Sequence, residues 1–127
     1  MQWDSTRHGG FTNGEPWIAV NPNFHDVNAA AAVVDPGSVF HHYRRLIALR
    51  HEMRIVVYGD FELLEPEHPA VFAYRRMLDA ESLLVVANLS GDAVRFDVPA
   101  EFDGAKVLVG TLSETLAPWQ SYVVYAG

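Results

Sequence analysis

The chain of 127 residues contains no cysteine. That excludes disulfide bonds, thiolate metal sites and a cysteine nucleophile, and it accords with a reducing compartment such as the cytoplasm. Lysine is nearly absent as well. Lys106 is the single one, and the formal net charge is -7, so a phosphate backbone would be repelled and nucleic acid is not an expected partner. No apolar run approaches the roughly 18 residues of a membrane span, so no membrane partner is expected. The start, Met1 to Gly10, has no basic segment leading into an apolar one and does not read as a signal peptide. There is no G-x-S-x-G serine, no G-x-G-x-x-G or phosphate-loop glycine pattern and no internal repeat.

Half of the residues are apolar and 20% are charged, the profile of an ordinary folded domain. Three zones follow one another. Met1 to His25 carries the turn dipeptides Gly9-Gly10 and Asn13-Gly14 with Pro16 and Pro22, and reads as an ordered loop. Burial of Trp3, Phe11, Trp17, Ile18, Val20 and Phe24 is expected to hold it in place. In the second zone Asp35 is placed as the N-cap of a helix, with Pro36 at its first position. Val39, Phe40, Tyr43, Leu46, Ile47 and Met53 recur at three- and four-residue spacing and form one apolar stripe. Burying such side chains contributes roughly 1.5–3 kcal/mol each before entropy is counted, so this helix needs a partner surface. A short helix over Ala29 to Val34 precedes it.

From about Ile55 the pattern is strand. Val56–Leu64, Val71–Met77, Leu83–Leu89, Val94–Val98, Lys106–Val109 and Leu116–Tyr125 are β-branched and aromatic, separated by turn signals such as Asp79-Ala80-Glu81, Ser90-Gly91-Asp92 and Asp103-Gly104. The continuous run Leu83–Ala87 marks a central strand covered on both faces. The fold class is therefore α+β: a loop and one main helix, then an antiparallel β-sandwich or meander. The length leaves room for one domain with a real hydrophobic core.

Candidate chemistry is sparse. His41 and His42 are adjacent and point about 100° apart on a helix, and His51 lies outside ligand spacing, so no metal or cofactor is expected. Asp4, Glu15, Asp26 and Asp35 are the acids nearest the aromatic loop, but spacing alone does not pair carboxylates, and Asp4 and Asp35 read as turn and cap residues. Trp119, Tyr122 and Tyr125 would make a sugar-stacking platform if they shared a face, which makes a carbohydrate-binding module the alternative function; core packing is the commoner use of such residues.

The string of residues carries more than their chemistry. Met1-Gln2-Trp3-Asp4, Gly10-Phe11-Thr12, Pro16-Trp17-Ile18 and Val20-Asn21-Pro22-Asn23 form a segment similar to one in bacterial α-glucosidases of the α-amylase superfamily, glycoside hydrolase family 13. The likeness continues through Asp35-Pro36, Ser38-Val39-Phe40, Tyr43, Leu46-Ile47, Leu49-Arg50, Val57-Tyr58-Gly59, Phe72-Ala73-Tyr74-Arg75 and Leu84-Val85-Val86-Ala87-Asn88. In that family the resemblance implies a (β/α)₈ barrel whose active-site residues lie at the C-terminal ends of its strands. The aspartate nucleophile, the glutamate acid, the second aspartate and the calcium site of some members all lie upstream of the matching segment. The resemblance thus assigns no catalytic, cofactor or metal residue to this chain. It implies that 1–54 is the rim loop and last helix of the barrel, that 55–127 is the C-terminal β-domain, and that the partner is the rest of the barrel. Met1 matches an internal family methionine, which fits a truncated reading frame, a gene model started too late or a deliberately shortened chain alike. Without its barrel, the stripe of Phe40, Tyr43 and Ile47 is expected to promote self-association.

Overall fold

The computed structural model describes residues Met1–Gly127. The chain divides into two compact units, Met1–His51 and Glu52–Gly127.

The first unit contains 3₁₀ turns over Arg7–Gly10 and Pro22–His25 and two helices, α1 (Ala29–Val34) and α2 (Val39–Glu52). Four consecutive alanines favour α1, and its otherwise unpaired first donors are met. Asn28 Oδ1 accepts from Ala31 N at 2.9 Å, while Ala29 N and Ala30 N donate to the carbonyls of Gln2 and Trp3, each at 2.9 Å. Asp35 does not cap α2, contrary to the expectation from sequence. Its carboxylate accepts from Gly37 N at 2.9 Å, which closes a turn over Pro36-Gly37, and Ser38 stands before the helix instead, its carbonyl accepting from His42 N at 3.1 Å. An aspartate followed by Pro-Gly reaches its own backbone two residues on more readily than a helix that starts later.

Burial corrects the sequence reading more deeply. Gly9 is the one buried residue of this unit. Trp17 is 94% exposed, and Trp3, Phe11 and Ile18 are exposed too, while Val20 and Phe24 are half-buried. The α2 stripe is equally bare: Val39, Phe40, Tyr43, Leu46 and Ile47 are all exposed, Tyr43 at 61%. Hydrogen bonds, not apolar contacts, hold the loop. Gln2 Nε2 donates to Asn23 Oδ1 (3.0 Å) and to the Val27 carbonyl (2.6 Å), and Trp3 N donates to Gly9 O (2.7 Å).

The second unit opens with a further helix, α3 (Arg54–Tyr58), where a strand was expected from Val56. The β-branched Ile55, Val56 and Val57 favour extended chain locally, yet one helical turn buries Ile55 completely before Gly59 ends it. Strands β1 (Asp60–Leu64), β2 (Val71–Leu78), β3 (Glu81–Asn88), β5 (Lys106–Gly110) and β7 (Ser121–Ala126) form an antiparallel sheet in the order β1-β2-β3-β7-β5. Strands β4 (Val94–Arg95) and β6 (Thr115–Leu116) form a second, two-stranded sheet. The long final strand expected from Leu116 to Tyr125 is broken at Ala117–Gln120, where Pro118 offers no N–H to a ladder and Trp119 has φ +60°.

As the apolar run predicts, β3 is the central strand. Alternation places Val71 and Ala73 of β2, Leu84 and Val86 of β3, and Tyr122 and Val124 of β7 on one face, where they join Phe96, Phe102 and Leu116 in a single buried core. This is the α+β arrangement with an antiparallel β-sandwich. Asn88, buried at the end of β3, ties the loops together: Nδ2 donates to the carbonyls of Asp92 (2.7 Å) and Ala117 (2.9 Å), and Oδ1 accepts from Ser90 N (2.9 Å) and Oγ (2.8 Å).

One core group is left without a partner. The Tyr122 hydroxyl is buried and makes no hydrogen bond, and burial pushes its pKa up to about 12. A raised folded pKa gives stability that is complete below the unfolded value, about 10 for tyrosine, and is lost as pH climbs through the folded value. The β-domain should therefore weaken between about pH 10 and pH 12. Tyr125, raised first by its hydrogen bond to Glu81 (2.5 Å), adds to the same trend. Tyr122→Phe removes the unpaired hydroxyl and should stabilise the chain by about 1 kcal/mol at pH 8, with a shallower alkaline loss. Urea midpoints at pH 8 and pH 11 measure both effects. A destabilised Tyr122→Phe protein would show that the hydroxyl has a partner.

Candidate functional site

An open groove of about 610 Å³ lies in the N-terminal loop, lined among others by His8, Phe11, Glu15, Trp17 and Ile18. Three successive residues, His8, Gly9 and Gly10, take left-handed backbone angles with φ between 58° and 66°. At Gly10 the conformation has a reason: an added Cβ would lie 2.6 Å from the Asp4 carboxylate. That carboxylate in turn accepts from Thr6 N (2.8 Å) and Thr6 Oγ (2.5 Å), hydrogen bonds that lower its pKa. The run of left-handed residues carries His8 inward. Its Nε2 is buried, unpaired by any hydrogen bond, and 3.9 Å from Glu15 Oε1, while Arg7 forms an ion pair with the same carboxylate.

The acids singled out from sequence thus have local engagements. Asp4 holds Thr6, Glu15 holds Arg7, Asp35 holds Gly37, and Asp26 follows the 3₁₀ turn ending at His25. Of the histidines on α2, His41 places Nε2 2.9 Å from the Val33 carbonyl, while His42 and His51 are exposed. His68 has a backbone role: Nδ1 accepts from Ala70 N (3.1 Å) and Val71 N (2.8 Å) and sets the entry to β2.

The three aromatics proposed as a sugar platform do not share a face. Tyr122 is completely buried in the core, Tyr125 pairs with Leu83 on the other side of the same sheet, and Trp119 projects from the turn before β7. Strand alternation separates positions 122 and 125 by an odd step, so they cannot point the same way. The exposed aromatic cluster lies elsewhere: Phe61 and Tyr74 have ring centroids 5.1 Å apart, and Phe72 and Tyr74 5.7 Å.

Sequence reasoning also missed one charged cluster. Arg75 Nε donates to Glu62 Oε2 (2.6 Å) and Nη1 to both oxygens of Glu101 (3.0 and 3.1 Å), which raises the guanidinium pKa further, Glu62 contributing most. It links β1, β2 and the 3₁₀ turn over Ala100–Phe102. Separations of 13 and 26 residues carry no local signal for such a cluster.

Residues 1–59 match the family description "Alpha amylase, catalytic domain", and residues 61–124 match "Maltogenic Amylase, C-terminal domain". The chain belongs to the α-amylase superfamily, glycoside hydrolase family 13, and corresponds to the C-terminal portion of its α-glucosidases. It is 48% identical over 101 residues to the oligo-1,6-glucosidase of Halalkalibacterium halodurans, covering 80% of this chain and 18% of that enzyme. With the oligo-1,6-glucosidase of Heyndrickxia coagulans it is 40% identical over 130 residues, 98% of this chain and 23% of the relative. The crystal structure of Bacillus licheniformis trehalose-6-phosphate hydrolase superposes with a TM-score of 0.88 at 38% identity, covering 98% of this chain and 24% of that one. The chain therefore spans about a fifth to a quarter of the length of these relatives. No helix is long and apolar enough to cross a membrane.

Proposed function

We propose that this chain is the closing part of a retaining, exo-acting α-glucosidase: residues 1–54 belong to its catalytic barrel and 55–127 form its C-terminal β-domain. The observation that carries this reading is the first unit, which has a capped helix α1, the longer helix α2 and a hydrogen-bonded loop yet buries only Gly9. An amphipathic helix with its apolar stripe in water is half of a packing interface. The rest of a barrel, of the kind the longer relatives have room for, would supply the other half.

On this reading the chain covers and steadies the barrel, and the parent hydrolyses short α-linked gluco-oligosaccharides in the cytoplasm through a covalent glycosyl-enzyme. That reaction needs two carboxyl groups roughly 5–5.5 Å apart, and the chain's own acids are not assigned to it. The purified chain should not turn over a chromogenic α-glucoside. Hydrolysis that follows the protein through successive columns would overturn the reading.

Lacking its partner, the chain should also self-associate through Phe40, Tyr43 and Ile47, which are exposed on α2. Light scattering should give a mass that rises with concentration, and Tyr43→Glu should lower it. A monomer at every concentration would remove this expectation.

A further inference from the structure

Cations are scarce in this chain and unevenly placed. Nine lysine and arginine residues stand against sixteen aspartates and glutamates, and four of the nine fall between Arg44 and Arg54. The carboxylates are numerous enough to neutralise them all. Yet the ion pairs of the chain are made by Arg7, Arg75 and Arg95, with His8 beside Glu15, and by no residue of α2. Two of the unpaired guanidinium groups, those of Arg44 and Arg45, line an open hollow of about 300 Å³ together with Pro36, His41 and Ala48.

Helix geometry explains why they share it. At roughly 100° per residue, Arg44, Ala48 and Arg45 follow one another around the side of α2 opposite Val39, Tyr43 and Leu46. Adjacent positions diverge too far for two short imidazoles to meet, as at His41 and His42. An arginine stem is long enough to bring its head back over the single methyl of Ala48. His41 walls the hollow, held there by Nε2, which donates to the Val33 carbonyl at 2.9 Å. The acids nearest in sequence on either side are not counter-charges: Asp35 accepts from Gly37 N, and Glu52 forms no ion pair. Because the hollow lies opposite the apolar stripe, covering that stripe leaves it open.

Two neighbouring guanidinium groups without a counter-charge repel each other, and an anion between them removes that cost. Each presents five N–H donors in a planar fork. A pair of forks suits the several oxygens of a tetrahedral phosphate, whereas a carboxylate is already satisfied by one. The N-terminal turn of α2, beside Pro36, adds partial positive charge. A volume of about 300 Å³ is at the lower end of small-molecule sites. We infer that Arg44 and Arg45, above Ala48, form a binding site for a phosphate group, borne by a small phosphate ester or present as inorganic phosphate. The site goes beyond the parent reading and does not depend on it, since its lining residues all lie between Pro36 and Ala48.

The test follows the backbone and arginine side-chain NMR signals of the isotope-labelled chain, dilute enough to be monomeric, in titrations at constant ionic strength. Inorganic phosphate should shift the signals of Arg44, Arg45 and Ala48 saturably, with a midpoint of about 1 mM, and chloride should not. Arg44→Gln with Arg45→Gln should weaken binding at least about tenfold. Arg50→Gln removes an equally unpaired charge from the other side of the same helix and should change binding less than about twofold. All three arginines are exposed, so the fold should survive both variants. Arg44→Lys with Arg45→Lys keeps the charge, loses the forks and should still weaken binding about fivefold, which decides the matter if the glutamine pair folds poorly. Glucose 6-phosphate binding about tenfold more tightly than inorganic phosphate would identify an ester as the ligand, and binding no tighter would identify phosphate itself. Shifts that do not saturate, that chloride reproduces, or that Arg50→Gln weakens as much as the double variant would overturn the inference, because general attraction to a basic helix would then account for them. Undiminished binding by the lysine pair would overturn it too, since the fork geometry would then play no part.

Discussion

Leu84→Ala should lower the unfolding free energy of the free chain by about 2–5 kcal/mol, whereas Ile47→Ala should change it by less than about 0.5 kcal/mol. Both remove the same number of apolar atoms from an aliphatic side chain in a regular element, so only surroundings separate them. Leu84 is completely buried in β3, opposite Arg75 on one side and Val124 on the other, inside the core cluster. Its truncation forfeits transfer free energy and leaves a cavity that the sheet, held by neighbours on both edges, cannot collapse to fill. Ile47 projects from α2 into solvent. Domains of this size have total stabilities of about 5–15 kcal/mol, so the first change should consume a large share of what is there. Urea unfolding followed by far-ultraviolet circular dichroism reads both. Equal shifts at concentrations where the chain is monomeric would mean that α2 is covered within the chain itself, and the placement of stability in the β-domain would have to be given up.

The same contrast explains what could be read from the residues. The sandwich was legible because its core is self-contained: every apolar position that faces inward finds its partner within Glu52–Gly127, so the alternation of β2, β3 and β7 is a complete message. The Ala29–Val34 helix was legible for a local reason, alanine propensity behind an asparagine cap. The errors have local and distant causes. Asp35 looked like a helix cap because capping and turn-forming use the same chemistry, and the choice was made by Gly37 accommodating the turn. Val56 and Val57 looked like strand because β-branched residues do, and the gain from burying Ile55 lay on strands not yet paired in the reading. The burial expected for Trp17 and Phe11 failed because amphipathic patterning reports that a residue wants a partner, not that this chain contains one. The candidate site was less legible still. Glu15, Arg7 and His8 meet through three left-handed residues whose angles no periodicity encodes, and Arg75 joins carboxylates from two distant segments.

Gly110→Ala should be the most damaging single-methyl change in the chain, at about 2–4 kcal/mol. Gly110 ends β5 with φ +73°, a conformation costing an alanine about 1–2 kcal/mol by itself. The added Cβ would overlap Ser121 O and stand 3.1 Å from Tyr122 Cα and 3.2 Å from Ser121 C. All three are backbone atoms of the segment that Gly110 pairs with, so no rotamer can relieve the contact. The register already slips between Val107 and Val109, leaving β5 as an edge strand with a bulge next to this close approach. Relief therefore comes by β5 peeling from β7. Gly104→Ala is the matched control: φ is +70° but nothing lies within 4 Å of the added methyl, so only the conformational cost of about 1 kcal/mol applies. Amide hydrogen exchange should rise at Val107 and Val109 in the Gly110 variant and hold steady at Leu84 and Val86, whose partners are β2 and β7. Equal destabilisation by the two substitutions would show that backbone angle, not the approach of Ser121, makes glycine necessary there.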